Sequence, residues 1–437
     1  MSQTCADGNN RRFKAFLFLA FCGLAGSFPH WIESTKNLIP AIILAFFLGG
    51  YGLRVVLRDR DKSFQKSEIS NLGFDLDSLP CVDVVVAARD EENVVEQLVS
   101  RITSLNYPQD RIKYWIVDDG SQDNTFNLLE KITKDINNIN LLRRPRNAGG
   151  GKSGALNFAL GQSSGEWLLI LDADAQLQED LLIRAILFAQ KSDWSAIQLR
   201  KAVVNANQNF LTCFQSMEMA MDAAIQRGRL QGAGVVELRG NGQLIQREAL
   251  ENCGLFNENT VTDDLDLSFR LLINGLSIGI LWDPPIQEEA VTSLSGLIKQ
   301  RERWAEGGLQ RFFDYWKELI SPKINSSKKL DLASFFLLQY AIPLISCADI
   351  LTSFLTNSLP VYWPLSFVAL SVSGLAYWKG CSRKSEGPEI PSPKPIRLIM
   401  AIIYLLHWFI VIPLVTFKMA ILQKQLIWVK TIHKGNS

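Results

Sequence analysis

Trp167-Leu168-Leu169-Ile170-Leu171-Asp172-Ala173-Asp174-Ala175-Gln176 is an apolar run that stops abruptly at two aspartates one residue apart. A run of this length without helical polarity suits a parallel strand buried on both faces. Side chains alternate along a strand, so Asp172 and Asp174 are expected to point the same way at its carboxyl end. Ligands of open α/β sheets bind at that edge. Two carboxylates so close repel each other unless a cation lies between them. Mg²⁺ or Mn²⁺ carrying a substrate phosphate is the natural one, because hard ions take carboxylate oxygens. The plainer alternative is a loop aspartate beside a helix N-cap.

Working outward, residues 81 to roughly 320 alternate short strands and helices. Strands are expected at 82–88, 113–118, 139–143, 167–172, 195–199 and 277–282, and helices near 91–104, 123–135, 152–162, 178–190 and 207–228. That alternation predicts an α/β fold with a mostly parallel sheet covered by helices on both faces. Asp118 and Asp119 close the second strand, at the same edge as Asp172. Asp90 follows the first strand, where acidic residues either complement a helix N-terminus or touch a nucleotide.

The Gly149-Gly150-Gly151-Lys152 loop is no P-loop, because Arg146 stands where the first glycine is required. Gly149, Gly151 and Gly154 match G-x-G-x-x-G, but in the third strand–helix unit, where a dinucleotide fold needs them in the first. A glycine-rich loop bearing Lys152 can still hold a diphosphate at a helix N-terminus. Thr262-Asp263-Asp264 opens a helix over 263–274, and reads either as a cap or as a carboxylate aimed into the cleft as general base. Gln300, Arg303 and Trp304 share one helix face. There, Arg suits a diphosphate and Trp a sugar or the membrane interface.

Composition narrows the chemistry. The chain has 437 residues, is 47% hydrophobic and carries a net charge of +1. A nucleic-acid partner is therefore not expected. The seven cysteines form no C-x-x-C pair, and the three histidines are His30, His407 and His433. With no histidine between 31 and 406, a histidine triad or histidine-ligated metal is excluded from the middle of the chain.

Apolar stretches at 13–29 and 38–57 are long enough to cross a bilayer. Arg11, Arg12 and Lys14 precede the first, and Arg54, Arg58, Arg60 and Lys62 follow the second, with only Lys36 between. The positive-inside rule then predicts a hairpin with both ends cytosolic; the rival reading is a cleaved signal peptide. Further spans are expected at 331–356, 359–378 and 396–417. Three spans would leave the C-terminus outside, yet Lys418, Lys424, Lys430 and Lys434 argue for inside. A segment broken at Pro413 or an interfacial tail would reconcile them. The expected division is a membrane hairpin over 1–62, a linker over 63–80, a catalytic unit over 81–320 with an interfacial helix at 293–320, and a membrane region over 321–437.

The ordered set Val-Asp-Asp-Gly-Ser (117–121), Leu-Asp-Ala-Asp-Ala (171–175), Thr-Asp-Asp (262–264) and Gln-Arg-Glu-Arg-Trp (300–304) resembles the membrane-bound inverting glycosyltransferases of family 2, the class of cellulose and hyaluronan synthases. It covers roughly residues 80–310 and departs at Asp263, where the family usually has Glu. The resemblance implies a nucleotide-sugar-binding sheet of the glycosyltransferase A type between membrane helices. It further implies that Asp90 and Asp119 contact the nucleotide, that Asp172 and Asp174 act through the diphosphate and metal, and that Asp264 is the base. Gln300, Arg303 and Trp304 would bind the diphosphate and shape the acceptor end. The run from Arg303 to Arg311 is similar to cyanobacterial members of that family that move glucose from UDP-glucose to diacylglycerol. This implies a multi-pass membrane protein with a cytosolic catalytic unit, in the plasma or thylakoid membrane in a cyanobacterial setting. Polysaccharide synthesis is the alternative. A transporter would need more charged residues in its spans than Asp349 and His407. A non-catalytic binding scaffold should lack Asp264 or Arg303.

Overall fold

The computed structural model describes residues 8–32, 37–59 and 78–422. Most of the expected linker therefore lies outside the described residues, as do Lys36, Arg60, Lys62, Lys424, Lys430, His433 and Lys434.

Among the described residues, seven strands form one sheet: β1 (Val82–Ala88), β2 (Ile112–Asp118), β3 (Ile139–Arg143), β4 (Trp167–Asp172), β5 (Ala196–Val203), β6 (Gln243–Gln246) and β7 (Ile278–Glu288). Their order is β3-β2-β1-β4-β6-β5-β7. All seven residues of β1 are buried, as a strand covered on both faces requires. Its one charge, Asp83, is matched by Arg247 at 3.0 Å and by the Trp115 indole N–H at 2.9 Å. From β1 the chain winds outward to β3 and then returns to the other side at β4. The switch point therefore lies between β1 and β4, where open α/β sheets place their ligands. Ala87 pairs with Asp172 and Ala88 with Asp118, so both aspartates stand at that edge.

The expected strands form, β5 and β7 running on to Val203 and Glu288 beyond the expected ends at 199 and 282, and two further differences stand out. β6, four residues that alternation does not reveal, inserts antiparallel between β4 and β5. Also, β4 ends at Asp172, and Ala173 and Asp174 belong to a turn closed by Ala175 N–H to the Asp172 carbonyl at 3.1 Å. Asp174 is therefore not a strand residue, and the alternation argument for its direction does not apply.

Among the described residues, four helices are long and apolar enough to cross a membrane: Asn10–Trp31, Ile39–Arg58, Ser326–Leu355 and Pro395–Ile421. They expose large apolar side chains such as Phe46 and Phe354, each 85% accessible. The expected span at 359–378 forms a helix, Trp363–Cys381, but serines and Lys379 leave it outside those four. It runs beside Ile39–Arg58 in the same direction. Val368 abuts Gly49, Val372 would lie 2.7 Å from a Cβ on Gly52, and Lys379 Nζ donates to the Val56 carbonyl at 2.7 Å. The last segment breaks at Leu406–His407, not at Pro413, which sits inside a continuous helix. Beyond that break, Lys418 meets Glu302 at 2.7 Å, and Arg12 Nε donates to the Ala420 carbonyl at 3.1 Å. The end of this segment thus lies beside the start of the first span.

The loop after Cys381 is strapped to the sheet. Glu386 pairs with Arg184 at 2.7 Å, and the Trp282 indole N–H donates to the Lys384 carbonyl at 3.1 Å. The sheet layer and the apolar helices are joined by the long Leu294–Ile320 helix, capped by Ser293 accepting from Gly296 N–H at 3.2 Å.

Candidate active site

A cavity of about 480 Å³ opens at the carboxyl edge of β1 and β4. Lys152, Asp172, Asp174, Asp264, Gln300, Arg303 and Trp304 all line it, so side chains spread over more than 150 residues of sequence meet in one place.

Three consecutive glycines with positive φ (Gly149, 79°; Gly150, 70°; Gly151, 54°) turn the chain into the Gly151–Leu160 helix. That turn delivers Lys152 Nζ to Asp172 Oδ1. Burial opposes the charge on Asp172, but Lys152, Lys201 and Arg303 outweigh it and hold the carboxyl at about 2. Lys152 is raised in turn, with burial again opposing and Asp172 prevailing. Asp174 is 9% accessible and faces the same cavity.

Asp264 lies in the first turn of Asp263–Ile273. Burial and the neighbouring Asp263 push its carboxyl up to about 6, against the Leu265 N–H, Lys152 and Lys201. Its Oδ2 would lie 3.4 Å from a Cβ on Gly240 (φ 86°), so the loop before β6 passes directly over it. A half-buried carboxylate poised near neutrality is suited to take a proton from a hydroxyl.

Arg303 has no hydrogen bond or ion pair among the described residues. Its planar fork lines the cavity near Asp172 without a direct ion pair. Gln300 receives Arg301 Nη1 at 3.2 Å. Trp304 lies under the Arg301 guanidinium at 4.1 Å, so one of its two faces is already taken. Arg301 itself is buried and paired with Glu218, which also accepts from Tyr404 at 2.9 Å and from the Trp408 indole at 3.2 Å.

Asp90 and Asp119 stand at the same sheet edge but do not line the cavity. Asp90, with φ 54°, pairs with Arg146 at 3.0 Å and accepts from Gln122 N–H at 2.7 Å. Asp119 is buried between Arg144 at 3.1 Å and Arg89 at 3.4 Å. Burial raises its carboxyl, and the two arginines counter that.

Sequence reasoning missed Lys201, paired with Glu288 at 3.0 Å, and a charge cluster around the buried Glu237. Glu237 meets Arg239 at 2.9 Å and Arg311 at 3.1 Å, and both arginines line the cavity. Lys201 sits within β5, where a strand pattern conceals which face is functional. Arg311 closed the quoted run from Arg303, but nothing in the run assigned it a role.

Among the described residues, no three or more His, Cys, Asp or Glu side chains converge on a metal position. The donors present fit a hard divalent ion nonetheless. Asp172 and Asp174 offer only oxygens, and Mg²⁺ commonly takes one or two carboxylates and completes its shell with phosphate and water.

The profile described as glycosyltransferase like family 2 matches residues 80–307. A beta-monoglucosyldiacylglycerol synthase from Synechocystis sp. is 43% identical over 81% of this chain and 75% of its own length. One of the same name from Nostoc sp. is 38% identical over 90% of this chain and 83% of its own. Among solved structures, a mannosyltransferase from Pyrobaculum calidifontis, in complex with GDP-Man and Mn²⁺, superposes with a TM-score of 0.56 at 20% identity. That match covers 89% of this chain and 99% of the other. It establishes a glycosyltransferase A-like α/β fold.

Proposed function

The chain belongs to glycosyltransferase-like family 2, and from that premise we propose that it transfers glucose from UDP-glucose to the free hydroxyl of 1,2-diacylglycerol, inverting the anomeric carbon. The single observation that carries the acceptor is the shape of the cavity. From Asp264 it continues without a break between apolar helices, where Leu48, Val55, Leu365, Val368 and Ala369 form its walls. A hydroxyl presented to Asp264 from that side arrives attached to something apolar. The two synthases described above support the same reading through their similarity over most of the chain.

In this mechanism the Asp264 carboxylate removes the acceptor's hydroxyl proton. The freed oxygen bonds to C1 of glucose as the bond from C1 to the diphosphate oxygen breaks, and UDP leaves. Arg303 and Gln300 hold the diphosphate, and Trp304 offers its remaining face to the acceptor end. Lys152 keeps Asp172 ionised. Asp90 and Asp119, fixed by their arginines, form the nucleotide end. A divalent cation, Mg²⁺ or Mn²⁺, bound through Asp172 and Asp174 supplies positive charge against the leaving diphosphate. The protein is multi-pass in this reading, and the catalytic unit faces the cytosol, where nucleotide sugars are found.

Polymer synthesis would need a hydrated path for a growing glycan, and the apolar walls argue against one. Membranes carrying the protein, given UDP-glucose and diacylglycerol, are expected to yield a lipid bearing one β-linked glucose. A long glucan in place of the lipid product would overturn the proposal.

A further inference from the structure

Between Asp264 and the apolar walls, the cavity passes a patch of buried hydrogen-bond donors that the mechanism above does not use. Gln226, on the Phe210–Ala233 helix, is 1% accessible and lines the cavity. Its Oε1 accepts from Glu237 N–H at 3.2 Å. That bond fixes the orientation of the amide and leaves Nε2 buried with no partner. On the other side of Glu237, Arg311 is 3% accessible and also lines the cavity. It pairs with the Glu237 carboxylate at 3.1 Å, and its Nε has no hydrogen bond.

A buried amide or guanidinium N–H without a partner costs on the order of 1–3 kcal/mol, so such donors call for a partner. Both flank one residue, and that residue lies three positions before Gly240, which abuts Asp264. Three residues of chain span at most about 10 Å. Unpartnered donors on two residues that line the same cavity as the base and the apolar helices suit a ligand with acceptor atoms and no charge a few bonds from its reacting hydroxyl. The ester carbonyls of a diacylglycerol meet that description. They accept hydrogen bonds, cannot donate, and stand between the free hydroxyl and the acyl chains.

We propose that Gln226 Nε2 and Arg311 Nε form an ester-carbonyl subsite that selects a diester glycerolipid as acceptor. The inference rests on the lipid-acceptor reading given above. It predicts that the enzyme distinguishes two lipids of equal chain length, a dioleoylglycerol and its diether analogue with no carbonyls. A site built around buried donors rejects the analogue that cannot satisfy them.

The test uses the full-length protein in mixed micelles with UDP-glucose and each lipid in turn. The expected result is a kcat/KM for the diester about ten-fold or more above that for the diether. Gln226→Leu should lower the diester value toward the diether value through KM for lipid, with KM for UDP-glucose unchanged. Equal use of both lipids by the unsubstituted protein overturns the subsite while leaving the lipid-acceptor reading intact. So does an equal loss on both lipids in Gln226→Leu, which marks a merely structural role. Glucosylation of neither lipid overturns both readings.

Discussion

At the level of single residues, two carboxylates of one cavity have their proton affinities pushed in opposite directions. Lys152 and its companions keep Asp172 ionised at about 2, while burial and Asp263 lift Asp264 to about 6. Environments that push paired acids apart in this way assign their roles. Transfer should therefore fall on the acid side with an apparent pKa near 6, as Asp264 takes up its proton, and a profile flat from pH 5 to 8 would contradict the base assignment. Asp264→Asn should abolish transfer while UDP-glucose still binds by calorimetry. The sign of the stability effect also follows. A carboxyl raised from its ordinary value near 3.9 binds its proton more tightly when folded. Its contribution is complete below that value and is lost as pH rises through about 6. Asp264→Asn should accordingly melt higher than the unsubstituted protein at pH 8. The Asp172–Asp174 pair carries a separate expectation: chelation with EDTA should stop turnover, and added Mg²⁺ or Mn²⁺ should restore it. Asp172 was readable in the sequence because an apolar run ended on it. Lys201 and Arg311 were not, because a cation within a strand or helix gives no sign of which cavity it enters.

At the level of elements, the helix Leu294–Ile320 determines how the sheet meets the apolar layer. Gly307 and Gly308 sit where it crosses two other elements. A Cβ on Gly307 would collide with Thr262, the residue just before the Asp264 helix, and one on Gly308 with Tyr340. Glycine to alanine inside an exposed helix ordinarily gains about 1 kcal/mol. Here Gly307→Ala should instead displace Asp264 and lower kcat ten-fold or more, with helicity by circular dichroism unchanged. The strands of this layer were legible from burial alone, since buried parallel strands read as apolar runs. β6 was not, because its four residues gain their meaning only from β4 and β5 on either side. The break at Leu406–His407 was equally hidden. Pro413 drew attention as the helix breaker, yet the helix is interrupted nearly two turns earlier, where Tyr404 and Trp408 both donate to Glu218.

At the level of the whole molecule, the C-terminal segment is linked by contacts to the residues that line the cavity. Tyr404 and Trp408 hold Glu218, Glu218 holds Arg301, and Arg301 contacts both Gln300 and Trp304. A chain ending at Lys394 should retain the sheet and every aspartate, yet lose most transfer activity, measured as glycolipid formed per unit of protein in isolated membranes. The separation of an α/β layer from long apolar helices was visible from hydropathy, but their interlocking was not, because its contacts join residues nearly two hundred positions apart. The cavity that runs from polar carboxylates into apolar helices has one more consequence. Its lining changes from charged to apolar side chains, so a nucleotide sugar at the charged end is counted per volume of water and a lipid acceptor per area of bilayer. Velocity should then follow the mole fraction of diacylglycerol in the membrane, falling when inert phospholipid is added at constant total diacylglycerol. An enzyme of this kind would sense how crowded its own membrane is with unglycosylated lipid.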